Sequence, residues 1–292
     1  MTGFQKFIKY AAIAFGIYLS IAVVFILLGI AGTFVGISHI GNGKFKQRIE
    51  ERIEDGQNKI IENTDESNAP SFSKSYKNIQ KLEIDLENVN LEIKIGDSFK
   101  IEGMNLSDRI QIQENGNNIK IDDEHIPSGY INENTKLVMY MPESQKLDEI
   151  DIEVQYASVN IENIYATRFS LDLQNNACKI NQLTADYVEI NNESADIDVV
   201  TGKVNRFQLE ADLGDENVAI KVLENAEIDL EHANAEIKLI GSQEDYQIMH
   251  KKQEGRTSIA GQEISSENET IGNGNAKIIL ETKYTNTNVN FD

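Results

Sequence analysis

Residues 150–206 read IDIEVQYASVNIENIYATR, FSLDLQNNACKINQLTADY and VEINNESADIDVVTGKVNR, three successive blocks of 19 residues. Each block opens on an apolar–x–apolar pair: Ile150/Ile152, Phe169/Leu171 and Val188/Ile190. The same pair is read at Phe207/Leu209 and at Ile228/Leu230, so the last spacing is 21 residues rather than 19. A small residue follows in each unit, at Ala157, Ala177, Ala195, Gly214 and Ala235. A second alternating pair comes next: Val159/Ile161, Cys178/Ile180, Ile197/Val199, Val218/Ile220 and Ile237/Leu239. Alternation with period two is the pattern of a strand with one face turned inward. Two short strands and a turn per unit make one coil of a β-solenoid, and each coil buries its apolar row against the next.

Working outward, an earlier copy starts at Leu82, with Ile84, Val89, Leu91 and Ile93 in matching places. The rhythm breaks between about 99 and 147, where Ile110–Ile112 and Ile119–Ile121 flank Asn115-Gly116. Asn-Gly suits the positive φ of a tight turn, so this stretch predicts a hairpin. Leu137 to Met141 reads as a further strand, ended by Pro142. From about 241 the rhythm weakens again. There Tyr246–Met249, Thr257–Ile259 and Lys277–Thr282 read as capping strands around Gly272-Asn-Gly274. Caps are expected because an open solenoid end exposes unpaired strand edges. The fold expectation is an all-β, single-stranded β-solenoid over 76–292, in which no window sustains a helical apolar stripe.

The chain begins differently. A short tail, 1–9, precedes a stretch from Tyr10 through Gly43 without Asp, Glu, Lys or Arg, and Ala11 through Ile37 is almost wholly apolar. That run exceeds the roughly 20 residues a helix needs to cross a bilayer. It also exceeds the apolar core of about 7–15 residues usual in a cleaved signal peptide. The reading is an uncleaved single-pass transmembrane helix at 10–40, with residues 11–37 in the lipid bilayer. Residues 41–75 then form a juxtamembrane amphipathic helix, with Phe45, Ile49 and Ile53 every four residues, and a polar linker containing Pro70. Lys6 and Lys9 flank one end of the span, and Lys44, Lys46, Arg48 and Arg52 the other. Counting Lys and Arg alone leans towards a cytoplasmic C-terminal side.

The chain carries 48 acidic and 27 basic residues, a net charge of −21, and one cysteine. A single cysteine excludes an internal disulfide framework and multi-cysteine metal sites. The charge argues against nucleic-acid binding, which needs clustered Lys and Arg. Residues 1–59 are net basic, so the acidity belongs to the repeats.

Taken together, Lys136-Leu-Val-Met-Tyr-Met-Pro142, Leu147 to Ile152 and the Ala-x-Val-x-Ile coil at Ala157–Ile161 resemble the toastrack-type family of bacterial adhesin candidates, a domain of unknown function. The resemblance runs from Ile79 to Phe291 and implies stacked single-strand coils without catalytic residues. The usual Ser-Gly at the coil turn is Tyr156-Ala157-Ser158 here. An N-terminal span joined to such a domain is similar to the Lia-type accessory membrane proteins of the cell-envelope stress response. That similarity implies a repeat domain outside the cytoplasmic membrane, against the lean of the charge count.

The residues point to no catalytic, metal or cofactor site. His39, His125, His232 and His250 form no His-x-x-x-His pair, and Cys178 takes an inward strand position. Asp122-Asp-Glu124 and Asp148-Glu-x-Asp151 hold oxygen ligands suited to calcium, but neither sits in an EF-hand loop. They read as parts of a solvated acidic face. Tyr130, Tyr156, Tyr165 and Tyr187 are candidates for stacking on sugars, Tyr165 and Tyr187 reading otherwise as covers of coil corners. Asn192 and Asn268 stand in Asn-x-Ser/Thr triplets, which matter only in a eukaryotic secretory route. The functional expectation is a non-enzymatic, membrane-anchored accessory or sensing module of the bacterial envelope. Its acidic face would meet a cationic peptide or a membrane signalling protein. The alternative is an adhesin-like or polysaccharide-binding module, and a carbohydrate-active enzyme is a weaker rival.

Overall fold

The computed structural model describes residues 71–106, 110–123 and 135–292. The transmembrane helix expected at 10–40, the amphipathic helix after it and the linker up to 70 lie outside the described residues. So do His39, His125 and Tyr130.

Where the sequence alternates, the backbone forms strands. The short ones come first: β1 (Phe72–Ser75), β2 (Lys81–Glu87), β3 (Asn90–Ile95), β4 (Lys100–Met104), β5 (Ile110–Asn115), β6 (Asn118–Asp123), β7 (Lys136–Met141) and β8 (Leu147–Gln155). Four long strands follow: β9 (Val159–Gln174), β10 (Ala177–Asn192), β11 (Asp196–Ala211) and β12 (Gly214–Glu231). The chain ends in β13 (Ala233–Leu239), β14 (Tyr246–Lys252), β15 (Gly255–Ile259), β16 (Gln262–Ile264), β17 (Asn268–Ile271), β18 (Ala276–Lys283) and β19 (Thr285–Phe291). All of them join one hydrogen-bonded sheet.

The repeat is one coil. β9 and β10 pair in parallel from Val159↔Cys178 to Leu173↔Asn192, and β10 pairs with β11 from Ala177↔Asp196 to Asn192↔Ala211. Each coil has two limbs. Limb A holds β3, β7, β13, β15, β19 and the first halves of β9–β12. Limb B holds β2, β6, β8, β14, β18 and the second halves of β9–β12. Inward rows run through the stack, as in Leu82, Ile150, Phe169, Val188, Phe207, Ala226, Ile278 and Ile248, all buried. Each large apolar side chain taken fully out of water in such a row contributes about 1.5–3 kcal/mol.

Two expectations need correction. The unit after Phe207 is also 19 residues long, because Phe207 faces Ala226 and Leu209 faces Ile228. Likewise Val218 faces Val199, so the residue opposite Ile197 is Glu216. Second, Lys277–Thr282 is no cap: within β18 it forms a full rung between β12 and β14.

The order of coils departs from the order of the chain at both ends. β2 lies between β6 and β8, and β3 between β7 and β9, so the first coil made is the second in the stack. In mirror fashion, β18 and β19 slot between β12–β13 and β14–β15. The outermost rungs are then covered by antiparallel strands: β4 on β7, β5 on β6, β17 on β14 and β16 on β15. Short polar covering strands keep a stack from pairing edge to edge with another copy. The predicted hairpin is β5–β6, with Gly116 at φ +65 in its turn.

Candidate functional site

The site grows from the outward positions of limb B. Because successive rungs pair in parallel, 19 residues apart through the second halves of β9–β12, residues that alternate with the core line up in rows, about 4.8 Å from one rung to the next. One row runs Asp122, Asp85, Glu153, Asp172, Asn191, Glu210, Asp229, Glu281. Beside it runs Glu83, Asp151, Ser170, Glu189, Gln208, Glu227. On the other flank stand Glu87, Gln155 and Gln174, continued by Glu193 and Asp212 in the turns. These rows border an open depression of about 480 Å³ that runs from Glu153 to Asp212.

Local contacts hold the rows upright. Asn191 Nδ2 donates to Asp172 Oδ1 at 2.6 Å. Tyr187 Oη lies 3.2 Å from both Glu189 Oε2 and Gln208 Oε1. The Arg168 guanidinium bonds Glu189 at 2.8 Å and covers the Tyr187 ring at 4.7 Å. Lysines stand at the ends of the face. Lys120 pairs with Glu83 and Lys81 with Glu149, both at 2.6 Å, while Lys251 pairs with Glu281 and Lys283 with Glu231. Between those ends, the three rows carry carboxylates, amides and one serine. Partial burial raises the carboxyls of Asp85, Asp151 and Asp229 above their ordinary values, and neighbouring acids raise them further. Fixed, mutually repelling carboxylates of this kind favour any cation that settles among them.

Limb A presents a different outer face. There acids and amides pair along the stack, as in Asn217 with Asp198 at 3.0 Å and Asn234 with Asp215 at 2.8 Å.

Of the residues singled out in the sequence, Asp122 and Asp151 share the limb B face but stand in different rows. Asp148 is the second residue of β8, at the margin of the face, and Glu124 lies outside the described residues. Tyr187 stands on this face rather than at a corner, whereas Tyr165 sits beneath Lys146, 5.8 Å from its ring centroid. Tyr156 occupies a left-handed turn at φ 57, the position that Asn88 and Asn175 take in other coils. His232 stacks on Tyr284 at 5.0 Å, and His250 is buried with Nε2 3.0 Å from Thr282 Oγ1. Cys178 is buried, which pushes its thiol well up. Asn192 is buried and hydrogen-bonded, whereas Asn268 is exposed on β17.

Glu216 was missed by sequence reasoning. It is only 2% exposed in an inward column, between Ile197 and Ala235. Burial pushes its carboxyl up to about 8; the Asn192 hydrogen bond opposes this, and Asp196 and Asp215 add to it. The signal was available, since counting 19 from Ile197 lands on it.

The Toastrack DUF4097 family profile matches residues 79–289, and the chain belongs to that family. No curated protein matches the sequence significantly. Among solved structures, an adhesin candidate from Bacteroides fragilis is similar, with 9% identity, 76% of this chain and 96% of that one covered, and a TM-score of 0.39. A candidate lipid-binding protein from Parabacteroides distasonis is similar at 15% identity, with 76% and 98% covered and a TM-score of 0.38. A candidate cell adhesion protein from Clostridium sporogenes shares 11% identity, with 77% and 100% covered and a TM-score of 0.32.

Proposed function

We propose that this chain is a non-enzymatic interaction module of the bacterial envelope, anchored through residues 11–37, whose limb B face docks a cationic partner. The partner class is a basic peptide or the basic segment of a membrane signalling protein, as an accessory of envelope-stress signalling requires. The supporting observation is the set of three carboxylate and amide rows, whose lysine partners stand at the ends of the face. Attraction to such a face is screened by salt.

The test is binding of an oligolysine peptide at two ionic strengths, with wild type and with Glu153→Gln/Asp172→Asn/Glu210→Gln. Affinity that falls with salt and drops at least tenfold in the triple variant is the expected result. Equal affinity in both proteins overturns the reading. A second reading, glycan binding, draws on the amides Gln155, Gln174 and Gln208 around the depression. Salt-insensitive binding of a neutral oligosaccharide would favour it. Protease digestion of the repeat domain on wall-free intact cells tests the extracytoplasmic placement.

A further inference from the structure

Two coil turns meet at one end of the depression. The first joins β10 to β11 and the second joins β11 to β12. Asn192, the last residue of β10, spans the first to its far end: its Oδ1 accepts the Ala195 N–H at 2.6 Å, and its Nδ2 donates to Ala195 O at 2.7 Å. Asp212 N–H in the second turn donates to Asn192 O at 2.9 Å. The turns approach so closely that a Cβ at Gly214, whose φ is +129, would stand 2.0 Å from Ala195 O. Asn192 Nδ2 also donates to Glu216 Oε1, on the coil beyond. Glu216 Oε2 is buried without a hydrogen-bond partner. Asn192, Glu193 and Asp212 all line the depression, so this couple lies directly beneath one end of it.

We propose that the Asn192–Glu216 couple is a proton-operated clasp: with Glu216 protonated the two turns are held together, and loss of that proton releases them and reshapes the end of the depression.

One group favours an ionised Glu216, the Asn192 Nδ2–H, and no cationic side chain of the described residues faces it to offset its burial. From β10 it meets the buried Cys178 thiol, two rungs away in the same column. From β11 it meets Asp196, with Asp198 further along, and from its own strand Asp215. Its ladder neighbour on β13 is Ala235, flanked by Asn234. Every titratable group facing it is therefore an acid or a thiol. A buried carboxylate without a cation leaves its site or takes up a proton. The clasp rests on the proposed function only in one consequence: a cation seated in the depression would draw the proton off.

Hydrogen exchange of the Ala195 amide in the full chain, in detergent, reads the clasp directly and uses no ligand. With intrinsic rates corrected, protection in wild type should fall about tenfold between pH 7 and pH 9. In Glu216→Gln, which keeps the acceptor for Asn192 and cannot ionise, it should stay level. Glu216→Leu, matching the apolar residues of the column, serves the same comparison if the amide does not fold. The same pH course in wild type and variant overturns the clasp. Failure of oligolysine to bind would sink the docking face and leave this result standing.

Discussion

Ile197 and Glu216 are direct partners in the β11–β12 ladder, so a carboxylic acid occupies the inward column one rung from an isoleucine. The native state holds the Glu216 proton up to about pH 8, whereas an unfolded carboxyl releases it near its ordinary value of 4.5. The native state therefore binds the extra proton, and stability falls as pH rises between those limits, by at most about 1.4 kcal/mol per pH unit. Glu216→Gln should melt higher than wild type at pH 7, with a gap that widens towards pH 8 and then levels. Thermal unfolding followed by circular dichroism across pH 5–9 checks this, and a constant gap would contradict it.

His250 has the opposite sign. It replaces the Leu280 and Ile228 of neighbouring rungs, and its Nδ1 is buried without a hydrogen-bond partner. Burial lowers the imidazole below its ordinary 6.5; Lys252 lowers it further, and Glu269 on β17 opposes them. The unfolded state thus takes up a proton that the folded state resists, and the stability present above about pH 6.5 is lost as pH falls. His250→Leu should narrow the difference in melting temperature between pH 5 and pH 7. An unchanged difference would mean that the imidazole does not control the acid limb.

Phe169 is fully buried between Ile150 and Val188 in the limb B inward row. A rigid ladder on both sides limits collapse into the space left by truncation. Phe169→Ala should cost about 3–5 kcal/mol, read from the urea midpoint at constant slope.

Tyr156 carries a left-handed backbone at φ 57 and is 46% exposed. The Cβ of an L-residue crowds the carbonyl oxygen in that conformation, a cost that Asn offsets through local hydrogen bonding of its short polar side chain, as at Asn88 and Asn175. Tyr156→Asn should raise stability by roughly 0.5–1 kcal/mol. A loss on substitution would show that the ring makes a stabilising contact.

Much of this architecture is legible in the residues themselves. Ile150/Ile152 and Phe169/Leu171 announce strands because period-two alternation has a single structural meaning, and their 19-residue recurrence announces coils. The same alternation hides register. A shift of two residues preserves every inward and outward assignment, so aligning Ile228 with Phe207 looked sound and concealed Glu216 in a column of apolar side chains.

What the sequence by itself determined is therefore the strand content, the coil length, the acidic outer surface and the Asn-Gly hairpin. These follow from local alternation and turn chemistry. Only the tertiary structure decided that β2–β3 and β18–β19 insert between coils made later or earlier in the chain. It alone gathered the carboxylates of Asp85, Glu153, Asp172 and Glu210 into one limb B row and set Asn192 against Glu216. The physical reason is that lateral pairing between rungs joins residues 19 to 68 positions apart, as in Asp172 with Asn191 and Asp85 with Glu153. No local preference encodes such a partner, and the exact fit of one buried row against the next selects it.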